Sequence, residues 1–341
     1  MSPAEPLLFP TPSTGASGPV PRISVILPAW NAAGFLERAV ASVRAQQGVA
    51  PGEVEIVIVD DGSTDATAAV IARLAAADPG IVAVLGGANQ GPAGARNTAL
   101  SRARGSWIAV LDADDAYAPG RLARLVAQAE ASGLDAIADL PLLYDLAAGC
   151  PAPDSLQHPA AGGLRRLGFR DFLGRDAATG LDLGLLKPVF HARLKAQGLL
   201  EYPAGLRHGE DCAMYVAMTR AGAAFGLLEE AHYVFSTRIG AVSGARSPGS
   251  VTDVDYRAVA AEAERLRAAL AAQGEMDAEL SALLDARVAG ALQANRRYGW
   301  TVLRRREWGR LRLWLGKDRR NWSELARVLG AKLAGQRGLP G

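Results

Sequence analysis

The chain of 341 residues is long enough for one large α/β domain with an appended module. Its 37 basic and 35 acidic side chains nearly balance, which argues against a global attraction to nucleic acid. Two cysteines are too few for a disulfide framework or a zinc site, and this favours a reducing cytosol. We expect neither a signal peptide nor a membrane-spanning helix, because no apolar run approaches the ~20 residues that a bilayer needs.

Residues 1–21 are rich in proline, serine, threonine and glycine, and we interpret them as a disordered leader. From residue 22 onward, apolar runs typical of buried strands alternate with helical patterns. The predicted strands cover residues 23–27, 54–59, 81–85, 107–111 and 134–140. Asn31 is the predicted N-cap of a first helix. Further helices are predicted over residues 64–76, 92–102 and 119–132. This alternation predicts an α/β fold with a mostly parallel, doubly wound sheet flanked by helices.

Acidic residues follow two of these predicted strands. Asp60 and Asp61 end the second strand, and Asp112, Asp114 and Asp115 follow the fourth. Because parallel strands present their carboxyl ends at one edge, we expect both groups at the same ligand-binding edge. Closely spaced carboxylates suit Mg²⁺ or Mn²⁺, which often also hold phosphates. The alternative is an acidic turn that caps the helix beginning near residue 119.

The remainder of the chain divides into a less regular stretch and a helical end. A helix is predicted from Lys187 toward Gln197, a further helix after Asp211, and short strands over 224–228 and 232–236. Long helices rich in alanine, leucine, arginine and glutamate follow over 255–272 and 276–298, with shorter ones up to residue 335. We therefore predict a leader over 1–21, an α/β domain over 22–245 and a helical extension over 246–341.

Five motifs stand in a fixed order along the chain. They are Leu-Pro-Ala-Trp-Asn (27–31), Val-Asp-Asp-Gly-Ser-Thr-Asp (59–65), Asn-Gln-Gly-Pro-Ala-Gly-Ala-Arg-Asn (89–97), Leu-Asp-Ala-Asp-Asp (111–115) and Gly-Glu-Asp (209–211). This set resembles the family 2 inverting glycosyltransferases with a GT-A fold over residues 22–240. The block that contains Lys187-Pro188, His208-Gly-Glu-Asp211, Tyr233 and Gly240-Ala-Val-Ser243 is most similar to the succinoglycan-type exopolysaccharide glucosyltransferases.

The resemblance implies a site for a sugar nucleotide and a metal ion. The residues that it assigns to the nucleotide sugar are Pro28, Trp30, Asn31, Asp60, Asp61, Arg96, Asp112 and Ala113. Trp30 would lie against the base, and Asp61 would accept a hydrogen bond from it. Arg96 would reach a phosphate or ribose, or else only cover its helix. Asp112 and Asp114 match the family's D-x-D motif for Mg²⁺ or Mn²⁺, and Asp115 is an alternative ligand because three carboxylates leave the register ambiguous.

Asp211, with Glu210 as the second candidate, matches the family's catalytic base. Inversion at the anomeric carbon needs one carboxylate to take a proton from the attacking acceptor hydroxyl. Both residues are also explained as acidic charges at the N-terminus of the next helix, and the two explanations are compatible. We interpret His208 as structural.

The activity implied by the resemblance is metal-dependent transfer of a hexose, with glucose favoured, from a UDP-sugar to a growing, lipid-linked exopolysaccharide acceptor. One alternative is a nucleotidyltransferase acting on a sugar phosphate, although the stretch Pro28-Ala-Trp30 does not resemble its glycine-rich basic loop. The other alternative is a catalytically silent subunit that binds nucleotide sugars.

The C-terminal extension is basic and rich in tryptophan. Residues 296–320 carry ten arginines and lysines against two acidic residues, and four of the six tryptophans lie at or beyond residue 300. Peripheral contact with an anionic inner membrane is one interpretation, and an ordinary solvated helix pair with tryptophan in its core is another. Nucleic acid is a distant third, and we expect none as a partner. We predict a cytoplasmic protein, peripheral on the inner face of the cell membrane.

Overall fold

The computed structural model describes residues 20–50, 52–145, 149–151, 162–237 and 256–333. The predicted leader, apart from its last two residues, lies outside this described part, as does the predicted boundary at residues 245 and 246. Within the described residues, a ten-stranded mixed sheet is covered by helices on both faces.

The strands alternate with helices in the N-terminal half and become mixed in direction further along. The strands are β1 (Ile23–Ala29), β2 (Val54–Asp60), β3 (Ile81–Val84), β4 (Trp107–Val110), β5 (Ala116–Tyr117), β6 (Ala136–Asp145), β7 (Cys150–Pro151), β8 (Leu164–Leu167), β9 (Val189–His191) and β10 (Phe225–Thr237). Their order is β3-β2-β1-β4-β9-β6-β10-β5, with β7 beside β6 and β8 beside β10. β1 to β4 pair in parallel, as do β6 and β10, whereas β5, β7, β8 and β9 pair antiparallel.

Ten helices lie in the described part of the chain, together with two short 3₁₀ helices (Phe169–Phe172 and Leu183–Leu185). The α-helices are α1 (Leu36–Arg44), α2 (Thr67–Ala77), α3 (Gly91–Arg102), α4 (Arg121–Ser132), α5 (Arg193–Ala196), α6 (Glu210–Arg220), α7 (Tyr256–Ala272), α8 (Ala278–Arg304), α9 (Trp308–Lys317) and α10 (Arg320–Leu333). None of these described helices combines the length and the apolar composition that a bilayer-spanning segment requires.

The central strands are buried on both faces, and this explains their nearly continuous apolar sequences. In β1, Val25 and Leu27 face the core under α1 and α4, whereas Ile26 faces the core under α3 and α6. Every residue of β2 is buried. The prediction of a mostly parallel α/β sheet flanked by helices is confirmed.

Three local predictions were wrong. Asn31 does not cap a helix, because α1 begins only at Leu36. The stretch after Lys187 forms β9, an antiparallel strand between β4 and β6, and only the short helix α5 follows it. The two strands predicted over 224–228 and 232–236 are one strand, β10, whose pairing with β6 is irregular around Ala231.

The C-terminal helices pack in two layers. Leu270 of α7 and Leu280 and Leu284 of α8 belong to the same hydrophobic core as Phe172 beside the sheet. The end of α8 and helices α9 and α10 instead enclose a separate small core around Trp314. The outer helices are thus attached to the rest of the protein through α8 and through Arg257 of α7, whose guanidinium donates to Asn321 Oδ1 of α10 at 2.7 Å.

Candidate active site

The aspartates that follow β2 and β4 emerge at one edge of the sheet. Both strands pair in parallel with β1, so their carboxyl ends point the same way. Asp60 is the last residue of β2, and Asp112 lies two residues beyond the end of β4. The parallel pairing therefore brings the two acidic motifs to the edge where α/β sheets bind ligands.

Asp61 binds the N-terminus of α3. Its Oδ1 accepts a hydrogen bond from the backbone N–H of Gln90 at 2.7 Å, and its Oδ2 accepts one from the N–H of Gly91 at 2.9 Å. Burial raises the pKa of Asp61 above its ordinary value, against the lowering effect of these two hydrogen bonds. The carboxylate thus fixes the start of the helix that carries Arg96.

The loop after β1 is fastened to the loop after β2. Asn31 adopts a left-handed backbone conformation, with φ of 48°. Its side-chain Oδ1 accepts a hydrogen bond from the N–H of Thr64 at 2.8 Å, and its own N–H donates to Ser63 Oγ at 2.9 Å. The neighbouring Trp30 is half-buried in this loop. Asn31 therefore acts as a tie between two loops of the site.

Five charged side chains meet in a buried cluster behind these loops, and we call it the charge cluster. Its members are Arg96 of α3, Asp112 after β4, Lys187 before β9, and Glu210 and Asp211 of α6. Arg96 donates to Asp112 Oδ1 and to Glu210 Oε1, both at 2.7 Å. Lys187 Nζ donates to Asp211 Oδ2 at 2.7 Å and lies 3.3 Å from Asp112 Oδ2.

These contacts make Asp112 and Asp211 neighbours that share both cations. Arg96 Nη1 lies 3.5 Å from Asp211 Oδ1, so each of the two carboxylates contacts both Arg96 and Lys187. With three carboxylates and two cations, the charge cluster carries a formal charge of −1 when all members are ionised. Buried charges require such partners, because an unpaired one costs several kcal/mol.

Contacts within the cluster shift the pKa values of three members, Asp112, Lys187 and Arg96. Burial alone would raise the pKa of Asp112, but the nearby charges of Lys187 and Arg96 outweigh this effect and lower it below its ordinary value of 3.8. Burial alone would lower the pKa values of Lys187 and Arg96, yet the carboxylates of Asp112 and Asp211 raise both. At neutral pH, Asp112 is therefore a carboxylate and Lys187 is an ammonium ion.

The two oxygens of Asp211 have different surroundings. Its Oδ2 is held by Lys187, whereas its buried Oδ1 accepts no hydrogen bond from the described residues. Asp211 is the second residue of α6, and the preceding Gly209 has a φ of 76°, where a side chain would be strained. The glycine turn and the first helical turn thus hold a buried carboxylate whose Oδ1 accepts no hydrogen bond from the described residues and lies 3.5 Å from Arg96 Nη1.

The loop with the three aspartates is held mainly by Tyr233 of β10. The Tyr233 hydroxyl accepts from the N–H of Asp112 at 3.2 Å and donates to Asp115 Oδ2 at 2.7 Å. Asp115 Oδ1 accepts the N–H of Ser236 at 2.8 Å. The Arg38 guanidinium donates to the backbone oxygen of Asp114. Burial, followed by the charges of Asp114 and Asp112, raises the pKa of Asp115 well above its ordinary value.

The three aspartates of this loop have different surroundings. Among the described residues, no group of three or more histidine, cysteine, aspartate or glutamate side chains is arranged to hold a metal ion. Both oxygens of Asp115 already accept hydrogen bonds from protein groups. Asp112 and Asp114 supply hard oxygen atoms of the kind that Mg²⁺ and Mn²⁺ prefer, so the chemistry of these two side chains is compatible with such an ion.

Two residues of the site received no role in the sequence analysis. Lys187 and Tyr233 lie in the block that resembles the exopolysaccharide glucosyltransferases. Their place in this block was the one feature of the sequence that indicated a role in the site. Their partners lie far away in the chain, so the contacts themselves were not predictable. Of the residues assigned from the resemblance, Arg96, Asp112, Glu210 and Asp211 meet in the charge cluster. The other assigned residues lie at the ends of β1 and β2 or on the adjoining loops: Pro28, Trp30, Asn31, Asp60, Asp61, Ala113, Asp114 and Asp115.

Comparison with known proteins gives similarity of sequence and of fold. The model of the family "Glycosyl transferase family 2" matches residues 24–148. Succinoglycan biosynthesis protein ExoO of Rhizobium meliloti is 34% identical over 226 residues, 66% of this chain and 63% of ExoO. Succinoglycan biosynthesis protein ExoU of the same organism is 36% identical over 228 residues, 65% of this chain and 64% of ExoU. The chain thus spans somewhat less than two thirds of these relatives.

The fold is also similar to that of solved structures. S. aureus TarS 1–349 in complex with UDP-GlcNAc has a TM-score of 0.56 and 22% identity, over 87% of this chain and 80% of that structure. The complex of the same protein with UDP has a TM-score of 0.53 and 21% identity, over 83% and 73%. These likenesses confirm the predicted GT-A fold with its helical C-terminal region. Residues 24–148 of this chain therefore form a glycosyl transferase family 2 domain.

Proposed function

We propose that this protein is an inverting, metal-dependent glycosyltransferase that moves a hexose, glucose being the first candidate, from a UDP-sugar. Its proposed acceptor is a growing, lipid-linked exopolysaccharide at the cytoplasmic face of the membrane. The similarity to two succinoglycan biosynthesis proteins supports this acceptor class, and the TarS complexes with UDP and UDP-GlcNAc support a UDP-sugar donor. The observation that carries the proposal is the buried charge cluster, which holds Asp211 beside Asp112.

In the proposed reaction, Asp211 is the general base. Its Oδ1 is buried 3.5 Å from Arg96 Nη1 and must become accessible when substrates bind. It then takes the proton of an acceptor hydroxyl as the hydroxyl oxygen forms a bond to the anomeric carbon of the sugar. The bond between this carbon and the diphosphate breaks on the opposite side, and UDP leaves with the electron pair. Glu210 is the weaker candidate, because its Oε1 accepts a hydrogen bond from Arg96.

The proposed donor site lies along the loops after β1 and β2. The half-buried ring of Trp30 offers a flat face to a base, and such stacking is worth about 1–3 kcal/mol. Each oxygen of Asp61 accepts one backbone hydrogen bond at the start of α3 and retains a second lone pair. This lone pair can accept a hydrogen bond from a uracil N–H. Arg96 does not merely cover its helix, since it is buried against Asp112 and Glu210.

Asp112 and Asp114 are the residues proposed to hold Mg²⁺ or Mn²⁺. When bound, the ion supplies positive charge that stabilises the departing diphosphate. The low pKa of Asp112 keeps its carboxylate ionised for this role. Asp115 is the less suitable ligand, because its side chain is buried and its pKa is raised well above the ordinary value, which favours the protonated carboxyl.

The test is release of UDP from UDP-sugars in the presence of Mn²⁺ or Mg²⁺ and a lipid-linked oligosaccharide acceptor. Asp211→Asn removes the base and should lower kcat by about 10²–10⁴-fold while the protein still binds donor. Asp285→Asn is the matched control, because that exposed carboxylate of α8 only pairs with Arg267.

Three results would contradict the proposal. Undiminished turnover by Asp211→Asn would remove the assigned base. Donor binding without transfer to any acceptor would favour a silent nucleotide-sugar-binding subunit. Release of pyrophosphate from a nucleoside triphosphate and a sugar phosphate would favour a nucleotidyltransferase.

A further inference from the structure

Large apolar side chains are exposed mainly at the C-terminal helices. Seven such side chains are exposed in the described part of the chain, and four of them lie within 22 residues of α9 and α10. These four are Trp308 (60% exposed), Leu313 (58%), Trp322 (59%) and Leu329 (42%). A concentration of this kind marks an interaction surface, whereas single exposed apolar residues are ordinary.

The small core around Trp314 fixes which sides of the two helices face outward. Trp314 is buried, and its Nε1–H donates to Asn295 Oδ1 at 2.9 Å. Asn321 of α10 is also buried, and its side chain donates to the Trp314 backbone oxygen at 2.6 Å. Trp322, Ala326 and Leu329 follow at helical spacing and form an exposed stripe on one side of α10.

Arginines without acidic partners accompany this stripe. In the described chain, no carboxylate lies within 4.0 Å of the guanidinium groups of Arg304, Arg305, Arg306, Arg312 or Arg319. The acidic residues nearby are already paired, since Glu307 binds Arg310 at 2.9 Å and Asp318 binds Arg320 at 2.6 Å. These five arginines therefore carry positive charge for which the described residues supply no acidic counterpart.

We propose that the exposed sides of α9 and α10 dock together on an anionic lipid bilayer, and we call them the docking surface; its residues are Trp308, Arg312, Leu313, Arg319, Trp322 and Leu329. Indole rings and leucines gain by entering the boundary between headgroups and acyl chains, while arginines remain with the anionic headgroups. Nucleic acid would pair with the arginines but would leave the two leucines in water. A second copy of the same surface would bring unpaired arginines against one another. The bilayer alone complements both the charge and the apolar side chains.

This inference goes beyond the proposed reaction, because docking requires neither donor nor acceptor. Its test uses the full chain and sedimentation with vesicles of phosphatidylcholine, either alone or with about 30% phosphatidylglycerol, without any sugar nucleotide. The protein should bind the anionic vesicles at least tenfold more strongly than the neutral ones. Raising the ionic strength from about 0.05 M to about 0.5 M should weaken this preference.

Double variants test whether vesicle binding depends on this surface or on any exposed leucines of the protein. Leu313→Ser with Leu329→Ser should reduce vesicle binding at least tenfold. The matched control is Leu85→Ser with Leu185→Ser, since these leucines are 44% and 48% exposed outside the C-terminal helices. The control should bind like the parent.

The charges are tested in the same way. Arg312→Gln with Arg319→Gln should weaken binding to anionic vesicles by about 30-fold, at roughly 1 kcal/mol per arginine. Arg73→Gln with Arg102→Gln removes two exposed arginines of α2 and α3 and should have little effect.

Tryptophan fluorescence gives an independent measurement. Anionic vesicles should shift the emission of the parent protein to the blue, and Trp308→Phe with Trp322→Phe should abolish the shift. Circular dichroism checks that all variants retain their helices. Equal binding to neutral and anionic vesicles, or unchanged binding by the leucine pair, would overturn the proposal. The proposal would also be overturned if ultracentrifugation showed a dimer of the parent protein and a monomer of the variant Leu313→Ser with Leu329→Ser. A second copy of the chain would then occupy the surface.

Discussion

Lys187 holds two carboxylates of the candidate active site, and its replacement by methionine tests the charge cluster. Its Nζ lies 2.7 Å from Asp211 Oδ2 and 3.3 Å from Asp112 Oδ2. At an effective dielectric constant of about 20, these separations correspond to roughly 6 and 5 kcal/mol of attraction before desolvation. Methionine has a similar length and no charge, so it removes this attraction and preserves most of the packing.

The net loss of stability is smaller than the gross attraction. Desolvation of the ammonium group and its repulsion by Arg96 offset much of the gain. Breaking a buried ion pair by removing one partner costs about 3–5 kcal/mol, and we expect Lys187→Met to lose this amount of unfolding free energy at pH 7. The formal charge of the cluster changes from −1 to −2. Denaturation with urea, monitored by circular dichroism, measures the loss.

The expected loss depends on pH in a defined direction. The pKa of Asp112 is lowered in the folded protein, so its stabilising effect is complete above the unfolded value of about 3.8 and disappears as the pH falls through the lower folded value. Lys187→Met removes one of the charges that lower this pKa. The difference in stability between parent and variant should therefore be largest near neutral pH and narrow below about pH 3.8.

Activity should respond separately from stability. Lys187 is a positioning residue that orients Asp211, and a displacement of the base by about 1 Å costs about 100-fold in kcat. Lys187→Arg keeps the charge and should recover more stability than activity, because a guanidinium is larger and differently shaped. Lys195→Met is the control, since Lys195 Nζ only donates to the Ala103 backbone oxygen at 3.3 Å. Equal unfolding midpoints for Lys187→Met and Lys195→Met would refute this account of the charge cluster.

Three further predictions concern single side chains around the site. Tyr233→Phe removes the hydroxyl that joins two residues of the acidic loop, and chemical denaturation should show a loss of about 1–3 kcal/mol. Asp61→Ala leaves two backbone N–H groups at the start of α3 without their acceptor, and the ligand-free protein should lose about 1–3 kcal/mol in the same assay. Burial raises the pKa of the Cys212 thiol to about 11, so a Cys150→Ser variant should not react with Ellman's reagent at pH 8 until it is unfolded.

Each of these predictions has a control and a contrary outcome. Tyr256→Phe is the control for Tyr233→Phe. Equal stability of the two variants would show that the Tyr233 hydroxyl does not stabilise the acidic loop. Asp60→Ala should cost less than Asp61→Ala, because Asp60 accepts only the Ser63 N–H at 3.2 Å. Rapid reaction of the native thiol would show that Cys212 is more accessible than its burial indicates.

The first half of the fold was predictable because its signals are local. The strand β2 is apolar along its whole length and ends at Asp60, and a glycine-containing turn separates it from α2. Such continuous runs between helices allow few arrangements other than a parallel sheet. The shared edge of the acidic motifs then follows from strand direction alone.

The wrong predictions share a physical cause. The segment after Lys187 is a strand because β4 and β6 lie on either side of it, and neither is near it in the chain. The middle of β10 carries Glu229 and Glu230, which predict a break between two strands. Pairing with β6 continues past them through an irregularity around Ala231. Long-range pairing overrides local propensity in both cases.

The C-terminal tryptophans illustrate a different limit. The composition of this region left open whether its tryptophans form a core or an exposed surface. In the structure, one of them is buried in a core and others are exposed. Trp314 packs in the small core, whereas Trp308 and Trp322 are exposed. All of them lie in similarly basic surroundings, so their sequence context does not distinguish them. The side of the helix that each one occupies depends on how α9 and α10 pack against α8.

The charge cluster changes how the acidic motifs of this chain should be interpreted. The sequence pattern presents aspartates at positions 112 and 211 as two separate anions. In the fold, both contact Arg96 and Lys187, and these two cations lower the pKa of Asp112. Without these cations, burial and mutual repulsion would raise at least one carboxyl pKa, and a protonated carboxyl serves neither as a metal ligand nor as a base. The two buried cations are therefore as necessary to the proposed chemistry as the carboxylates that the motifs display.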